Sequence, residues 1–226
     1  MQKAFPKITP ASDQSTLVAF GDRLGLDPHR DVLRFTTLMQ RAADPFVRNV
    51  HPAHASVLVS FDARLVSHAQ LETLLRERLR ALREIEPPPA RAIEIPVCYA
   101  PEFGLDSAEV ASLHRLTVEE VVRLHSTATY RVDFIGFSPG FPYLSGLPPQ
   151  LATPRLATPR TRVPAGSVAI GGAQAGIYPL ASPGGWRILG RTHLRLFDPE
   201  QSPATRLQIG DRVTFRSITR TEFEAS

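Results

Sequence analysis

Residues 166–190, GSVAIGGAQAGIYPLASPGGWRILG, decide the fold of the C-terminal half of the chain. Short apolar runs alternate here with Gly and Pro, and the same pattern continues on both sides, in YRVDFIGF, THLRLF and DRVTF. Most of the 14 glycines lie from Gly136 onward. Many short strands with closely spaced turn signals are typical of a closed β-barrel. The sequence therefore predicts a barrel, with no helix after Tyr130.

The residues just before these runs predict one further strand and two short helices. Apolar residues at every second position predict the strand over 93–99. Each helix begins with a capping box, in which a cap side chain and a Glu three residues later bond each other's backbone N–H groups. The two boxes are Asp106 with Glu109 and Thr117 with Glu120.

Three consecutive prolines, at 87–89, separate two regions of different character. Because a proline run resists both helix and central strand, we expect a domain boundary there. The predicted N-terminal domain covers residues 1–88, and the predicted barrel domain covers residues 89–226.

The N-terminal region alternates strand and helix patterns. Period-two apolar spacing predicts strands over 15–20 and 55–61, and the helical spacing of 3.6 predicts two helices. The strand set is completed by short strands near Lys7 and Val47. The helix starts are Asp27, as an N-cap before Pro28, and the capping box of Ser67 with Gln70. Two helices on one sheet predict a small two-layer α+β sandwich.

Composition places the chain among folded globular proteins. Of its 226 residues, 42% are hydrophobic and 21% are charged, and no apolar run is long enough to cross a bilayer. The N-terminus MQKAFPKITP has no apolar signal-peptide core, and the single cysteine, Cys98, cannot form an internal disulfide. We therefore expect a cytoplasmic protein with no membrane partner, in which Cys98 is a buried small apolar residue.

The chain carries a net positive charge, with a pI of about 9.7, and nearly all of its basic side chains are arginine. Lysine occurs only at Lys3 and Lys7, and no run of interleaved basic and aromatic residues is present, so a nucleic-acid partner is not expected. The lack of lysine after Lys7 excludes a Walker-A phosphate loop, a Schiff-base lysine and a biotinyl-lysine in this chain. Any bound anion must be held by arginine, hydroxyl or backbone N–H groups.

Residues 136–140, GFSPG, match the G-x-S-x-G pattern of a serine-hydrolase nucleophile elbow. In that motif the residue after the serine donates its backbone N–H to the oxyanion and starts a helix. Here that residue is Pro139, which has no N–H. No acidic residue lies between Ser138 and His193, the last histidine, so the usual triad order fails as well. Ser138 is therefore not predicted to be a nucleophile.

The same stretch lacks acidic residues altogether, from Phe134 to Phe197, although it carries six arginines. Uncompensated positive charge is suited to an anion site or an acidic partner. Arg155 and Arg160 fit this best, because the repeat LATPR-LATPR holds them on a stiff, proline-fixed segment. A rigid connector explains that repeat equally well, and Arg187 and Arg195 are expected to be solvated on strand faces.

Two further features allow a functional and a structural interpretation. Gly184-Gly185 can form a backbone anion nest beside a stacking face on Trp186, or a tight hairpin turn next to a core tryptophan. His125, at the end of a capped helix, is a candidate acid or base, or a helix-end residue favoured by the dipole. His51 and His54 do not predict a metal site, because Pro52 prevents a helix that would place both on one face.

Several motifs, taken in order, resemble one family. They are FVRNVHPAHASVLVSFD, IPVCYAPEFGLD, GFSPGFPYLSGLP, the repeated TPR, RVPAGSVAIGG, GIYP, SPGGWRILGRT and LFDP. Over nearly its whole length the chain resembles the KipI/PxpB family, also called allophanate hydrolase subunit 1 or carboxyltransferase domain, subdomain C and D. The resemblance implies a small N-terminal α+β domain followed by a cyclophilin-like β-barrel.

The resemblance also implies a function. Stand-alone members look like the B subunit of the prokaryotic ATP-dependent 5-oxoprolinase, which opens 5-oxoproline to L-glutamate together with the A and C subunits. We therefore expect a non-autonomous enzyme subunit, with ATP used by the complex and Mg²⁺ held by a partner subunit. The alternatives are a KipI-like histidine kinase inhibitor and a component of a urea carboxylase or allophanate hydrolase-type carboxyltransferase.

Under this resemblance the chain is expected to form one wall of a shared site for a small anionic substrate. Arg155, Arg160 and Arg191 would bind carboxylate or phosphate, and Gly184-Gly185 would form the nest. The expected apolar wall or partner surface consists of Phe137, Phe141, Tyr143 and Trp186.

Overall fold

The computed structural model describes residues 5–22 and 26–225. The chain divides into two compact units, Met1–Pro89 and Ala90–Ser226.

The N-terminal unit is an antiparallel four-stranded sheet with two helices. The elements are β1 (Lys7–Ser12), β2 (Ser15–Ala19), α1 (Leu26–Ala42), β3 (Val47–Pro52), β4 (Ser56–Phe61), α2 (His68–Arg80) and a 3-10 turn at Leu82–Glu84. The strands have the order β1-β2-β4-β3. Alternation places Val57, Val59 and Phe61 in the core, each at most 1% exposed, as the period-two pattern predicts.

The C-terminal unit is built on a closed seven-stranded barrel. Its strands are β5 (Ala92–Cys98), β6 (Thr129–Ile135), β7 (Pro142–Ser145), β9 (Ser167–Gly171), β10 (Gln174–Ile177), β12 (Arg187–Arg191) and β13 (Arg212–Ile218), in the order β10-β7-β6-β13-β5-β12-β9. A separate two-stranded sheet pairs β8 (Arg160–Val163) with β11 (Ser182–Gly184). The helices are α3 (Ser107–His114), α4 (Val118–Thr127) and α5 (Arg220–Glu224), with a 3-10 turn at Pro149–Leu151. The predicted closed barrel is confirmed.

The barrel closes through a pairing of its first and last strands. β13 lies parallel to β5 over the whole length of both, from Arg212 beside Ala92 to Ile218 beside Cys98. Antiparallel pairs make up the other strand contacts of the barrel. Its interior is filled by apolar residues from strands that lie early, midway and late in the sequence of the unit. Among them are Ile95, Val168 and Val213, all fully buried. Cys98 is buried as predicted.

Two of the three predicted capping boxes are confirmed, at Ser67 with Gln70 and at Thr117 with Glu120. The box at Asp106 is wrong, because the Asp106 side chain makes no cap hydrogen bond. The prediction for Asp27 is also wrong in detail, since α1 already includes Leu26 and Asp27 lies in its first turn.

Two predictions for the C-terminal end are corrected. α5 is a helix after Tyr130, with its own capping box of Thr219 and Glu222. The run THLRLF at 192–197 is not a strand, apart from an isolated bridge at Phe197. Its backbone is held by loop contacts instead: the Thr192 N–H donates to the Gly166 carbonyl at 2.9 Å.

Candidate functional site

The connection between β6 and β7, residues 136–141, is a tight loop that we call the Phe137 loop. The Gly136 N–H donates to the Phe141 carbonyl at 3.0 Å and closes it. The Ser138 N–H donates to the Gly136 carbonyl at 2.8 Å, across Phe137, whose φ is 68°. This hydrogen bond two residues back, with a positive φ at the central residue, defines a strained γ-turn that bulky side chains rarely adopt.

A second turn completes the Phe137 loop. The Phe141 N–H donates to the Ser138 carbonyl at 3.1 Å, with Pro139 and Gly140 at the central positions. Gly140 has φ 81°, so the sequence Ser-Pro-Gly meets the requirements of a type II turn. The loop leads into strand β7, whereas a nucleophile elbow leads into a helix. The Ser138 hydroxyl is buried, with no hydrogen-bond partner among the described residues.

Below the Phe137 loop lies an aromatic cluster of Phe141, Tyr178 and Trp186. Each of the three rings packs so closely against a glycine that a β-carbon there would clash. The distances from an ideal Cβ are 2.8 Å from Gly176 to Phe141 Cζ, 2.8 Å from Gly184 to Tyr178 Cε1 and 2.7 Å from Gly171 to Trp186 Cδ2.

This packing changes the role expected for the four aromatic residues of the apolar wall. Phe141 and Trp186 are only 2% and 5% exposed, so they belong to the core and cannot form an open wall. Tyr143 is half-buried against them. Phe137 alone of the four projects into solvent, at 63% exposed, with its ring 5.4 Å from Phe141.

Arg155 lies exposed at the edge of the aromatic cluster. Its guanidinium carbon is 5.4 Å from the centre of the Trp186 ring, within cation–π range. Among the described residues, no carboxylate lies within ion-pair distance of it. Arg155 thus packs against an uncharged ring, and its charge is not paired with a carboxylate of the described residues.

Arg160 does not fit the anion site expected for it. Both of its terminal nitrogens donate to Asp106, at 2.9 and 2.8 Å, and Asp106 also accepts the Ile188 N–H at 2.7 Å. Asp106 is nearly fully buried at the start of α3. The carboxylate that the sequence assigned to a helix cap therefore neutralises Arg160 and ties β12 to α3.

Three further arginines of the acid-free stretch are bonded within the chain, two of them to acidic residues outside the stretch. Arg187 was expected to be solvated, yet it is 8% exposed and pairs with Glu109 at 2.5 Å. Arg191 is half-buried, and its Nε donates to the Ala165 carbonyl at 2.9 Å. Arg195 is exposed as expected, and it pairs with Asp198 at 3.2 Å. The expectation of uncompensated charge is wrong for Arg160, Arg187 and Arg195.

Gly184-Gly185 does not have the geometry of an open nest. Gly184 ends β11, paired with Arg160 of β8, and the Gly185 carbonyl accepts the Leu156 N–H at 2.7 Å. Neither residue has a positive φ, although successive N–H groups converge in a nest only when one residue takes the left-handed conformation. Gly184 instead gives Tyr178 room to pack.

His125 is enclosed in the core. It is fully buried, its Nδ1 is hydrogen-bonded to the Tyr99 hydroxyl at 2.8 Å, and Phe215 stacks on its ring at 4.6 Å. Burial lowers the pKa of His125 to about 3, so the ring is neutral near pH 7. An acid or base must reach its substrate and titrate near the working pH, and the buried, neutral His125 meets neither condition in this structure.

A cavity that the sequence did not predict lies between α3 and α4. Its volume is about 750 Å³, and its wall is mainly apolar, with Tyr99 on one side and Leu105 exposed at its edge. Glu119 and Arg123, one turn apart on α4, are the charged residues of the lining. The apolar periodicity of α4 could not predict this cavity, because another part of the cavity wall comes from the loop after β5.

Within residues 5–22 and 26–225, His, Cys, Asp and Glu do not form a group of three that could hold a metal ion. The helices of this part of the chain are too short or too polar to cross a membrane.

Residues 6–207 match the family described as carboxyltransferase domain, subdomain C and D. The chain, with its closed barrel, belongs to this family. Within it, the chain is similar to the B subunit of 5-oxoprolinase from Bacillus subtilis, at 36% identity over 97% of this chain and 95% of that protein. It is also similar to the B subunit of 5-oxoprolinase from Haemophilus influenzae, at 42% identity over 92% of this chain and 96% of that protein.

Solved structures share the fold. The crystal structure of TTHA0988 matches 91% of this chain with a TM-score of 0.80 and 38% identity, and this chain spans 40% of that longer protein. The urea carboxylase of Kluyveromyces lactis matches 96% of this chain with a TM-score of 0.75, over 22% of its own length. Its identity is 21%, so the likeness concerns the fold alone. The expected fold class, α+β with a cyclophilin-like barrel, is confirmed.

Proposed function

We propose that this chain is the B subunit of an ATP-dependent 5-oxoprolinase, a cytoplasmic complex with A and C subunits that opens 5-oxoproline to L-glutamate. One observation carries the proposal: two relatives that are B subunits of 5-oxoprolinase are similar over more than nine-tenths of both chains, at 36% and 42% identity. An alignment of that extent leaves no large part of the chain for a different role.

The proposed chemistry begins with transfer of the ATP γ-phosphoryl group to the lactam oxygen of 5-oxoproline. ADP leaves, a first water attacks the activated carbon, and the ring C–N bond breaks as the nitrogen takes up a proton, which gives γ-glutamyl phosphate. A second water then cleaves this acyl phosphate to L-glutamate and phosphate. Such a reaction needs cations around the phosphates and a positioned water. Lysine is absent after Lys7, so a phosphate-loop lysine must come from another component of the complex.

The ion pairs of the barrel unit support a non-autonomous role. The buried carboxylates of Asp106 and Asp133 are already bonded to Arg160 and Arg131. A carboxylate in such a pair is a poor ligand for Mg²⁺, because binding the metal would leave a partly buried arginine uncompensated. We therefore assign Mg²⁺ and the catalytic acid and base to partner subunits.

The contribution of this chain is one wall of a shared site around Arg155. Its exposed guanidinium suits the carboxylate of 5-oxoproline or a phosphate oxygen, since both accept planar paired hydrogen bonds. Stacking on Trp186 restricts the side chain and lowers the entropy lost when an anion binds.

Reconstitution tests this function. The chain is mixed with the homologues of the A and C subunits encoded in the same genome, and ATP-dependent formation of L-glutamate from 5-oxoproline is measured. Activity that requires all the components is expected. Omission of this chain is the control, and full activity in its absence, or none in any combination, would contradict the proposal.

A further inference from the structure

The stability of the fold does not explain why position 137 is a phenylalanine. A large apolar ring that is 63% exposed gains little from burial, and its backbone φ of 68° costs free energy for a residue with a side chain of this size. Glycine or asparagine would suit this γ-turn better. Residues kept in such a conformation are concentrated at functional sites.

The Phe137 loop holds this ring in a fixed position. Three backbone hydrogen bonds cross six residues, and a Cβ on Gly140 would lie 2.8 Å from Phe197 Cβ, so the loop is packed against the chain beneath it. The ring also contacts Phe141 edge-on at 5.4 Å and Tyr178 at 6.3 Å. An aromatic group that is already ordered loses little entropy on binding.

The charges around the ring indicate the kind of surface that would cover it. Exposed Arg155 contacts the same aromatic cluster through Trp186, and among the described residues no carboxylate pairs with it. Asp198 follows Phe197, which packs against Gly140 of the loop, and it is already paired with Arg195. An apolar projection and an unpaired cation on one aromatic cluster are complementary to an apolar pocket with an acidic edge.

We propose that Phe137 is the anchor by which this chain binds another component of its complex, its ring inserted into an apolar pocket whose edge is acidic. This rests on the proposed function, which supplies the partner. The strained γ-turn presents the ring, and the packed aromatic cluster supports it from below. Docking through Phe137 brings the partner to the aromatic cluster that also carries Arg155.

The test compares variants at Phe137 for stability and for binding to the homologues of the A and C subunits. Phe137→Gly relieves the positive φ, whereas Phe137→Ala keeps it, and both remove the ring. Leu113→Ala, which removes a comparably exposed side chain (56%) from α3, is the control. Melting temperatures and dissociation constants are measured by scanning and titration calorimetry.

We expect partner binding and melting temperature to respond differently to these variants. Both Phe137 variants bind the partner at least about tenfold more weakly, while Leu113→Ala binds like the wild type. Phe137→Gly melts at or above the temperature of the wild type, and above that of Phe137→Ala. Phe137→Tyr, which keeps the ring, retains most of the affinity.

Other results would overturn the inference. Wild-type affinity in both Phe137 variants, while the complex itself forms and is active, contradicts the anchor but leaves the proposed function intact. A large loss of melting temperature in Phe137→Gly shows that the ring is needed for folding and contradicts it too. If the wild-type chain binds neither homologue, both proposals fail.

Discussion

The Asp106 carboxylate accepts both terminal nitrogens of Arg160, at 2.9 and 2.8 Å, from a position 54 residues earlier in the chain. A third bond, from the Ile188 N–H, uses the same carboxylate. The start of α3, the two-stranded sheet and barrel strand β12 are thus joined at one buried group. The consequence for stability is open to direct measurement.

Asp106→Ala should be strongly destabilising. It leaves Arg160 and the Ile188 N–H without their acceptor, and removal of one member of a largely buried pair costs about 3 kcal/mol. Urea unfolding measures the change. Asp198→Ala, which breaks the exposed pair with Arg195, is the control and should cost less than about 1 kcal/mol. Similar losses in the two variants would show that the Asp106 network has no special role.

Gly184→Ala should destabilise the barrel unit by about 2 kcal/mol, because the new β-carbon overlaps the Tyr178 ring. Gly185→Ala is a matched control, since its β-carbon would meet its nearest neighbour at 3.5 Å, an ordinary contact. Thermal unfolding measures both. If these glycines were an anion nest, both substitutions would leave stability unchanged and reduce turnover of the reconstituted complex instead.

Acid should weaken the wild-type fold through His125. Unfolded histidine takes up a proton below its ordinary pKa of 6.5, whereas folded His125, with a pKa of about 3, stays neutral. Between these values the unfolded state binds more protons, so stability falls as the pH falls, by at most about 1.4 kcal/mol per pH unit.

His125→Phe removes this contribution and keeps a ring to stack on Phe215. We expect its stability relative to the wild type to improve steadily as the pH is lowered from about 6.5 to about 4.5, as measured by urea unfolding at each pH. His193→Asn, at an exposed histidine, is the control for the loss of one histidine. A constant difference between His125→Phe and the wild type would contradict the lowered pKa.

Arg155→Gln should reduce kcat/KM of the reconstituted complex for 5-oxoproline or ATP about tenfold or more, a loss of about 1.4 kcal/mol in transition-state binding. Because Arg155 is exposed, the melting temperature of the Arg155→Gln variant should stay close to that of the wild type. Arg162→Gln, at a second exposed arginine of this unit, is the control for the loss of one positive charge. Wild-type rates in Arg155→Gln would remove the anion role.

Patterns that depend on near neighbours in sequence predicted most of the fold. The alternation of Val57, Val59 and Phe61 and the box of Thr117 with Glu120 involve residues at most four positions apart, and in both cases the local pattern agrees with the structure. The same local signal, Thr219 followed by Glu222, was present for α5. It could have been found, but a five-residue helix carries no periodicity to support it.

The site depended on distant contacts and was therefore predicted less well. Asp106 and Glu109 had the spacing of a capping box, but Arg160 and Arg187 compete for their carboxylates from much later in the chain. An arginine forms stronger hydrogen bonds with a carboxylate than a backbone N–H does, because both partners are charged. The absence of acidic residues near the arginines in sequence therefore did not mean an absence of acidic partners in space.

The parallel pairing of β13 with β5 also bears on how the chain is made. β5 emerges from the ribosome early in the synthesis of its unit, yet the strand that covers one of its edges comes last, at Arg212–Ile218. Until then that edge is open to mispairing with other nascent chains. Closure of the barrel must wait until translation has passed Ile218, whereas the sheet and helices of residues 5–89 can assemble well before it.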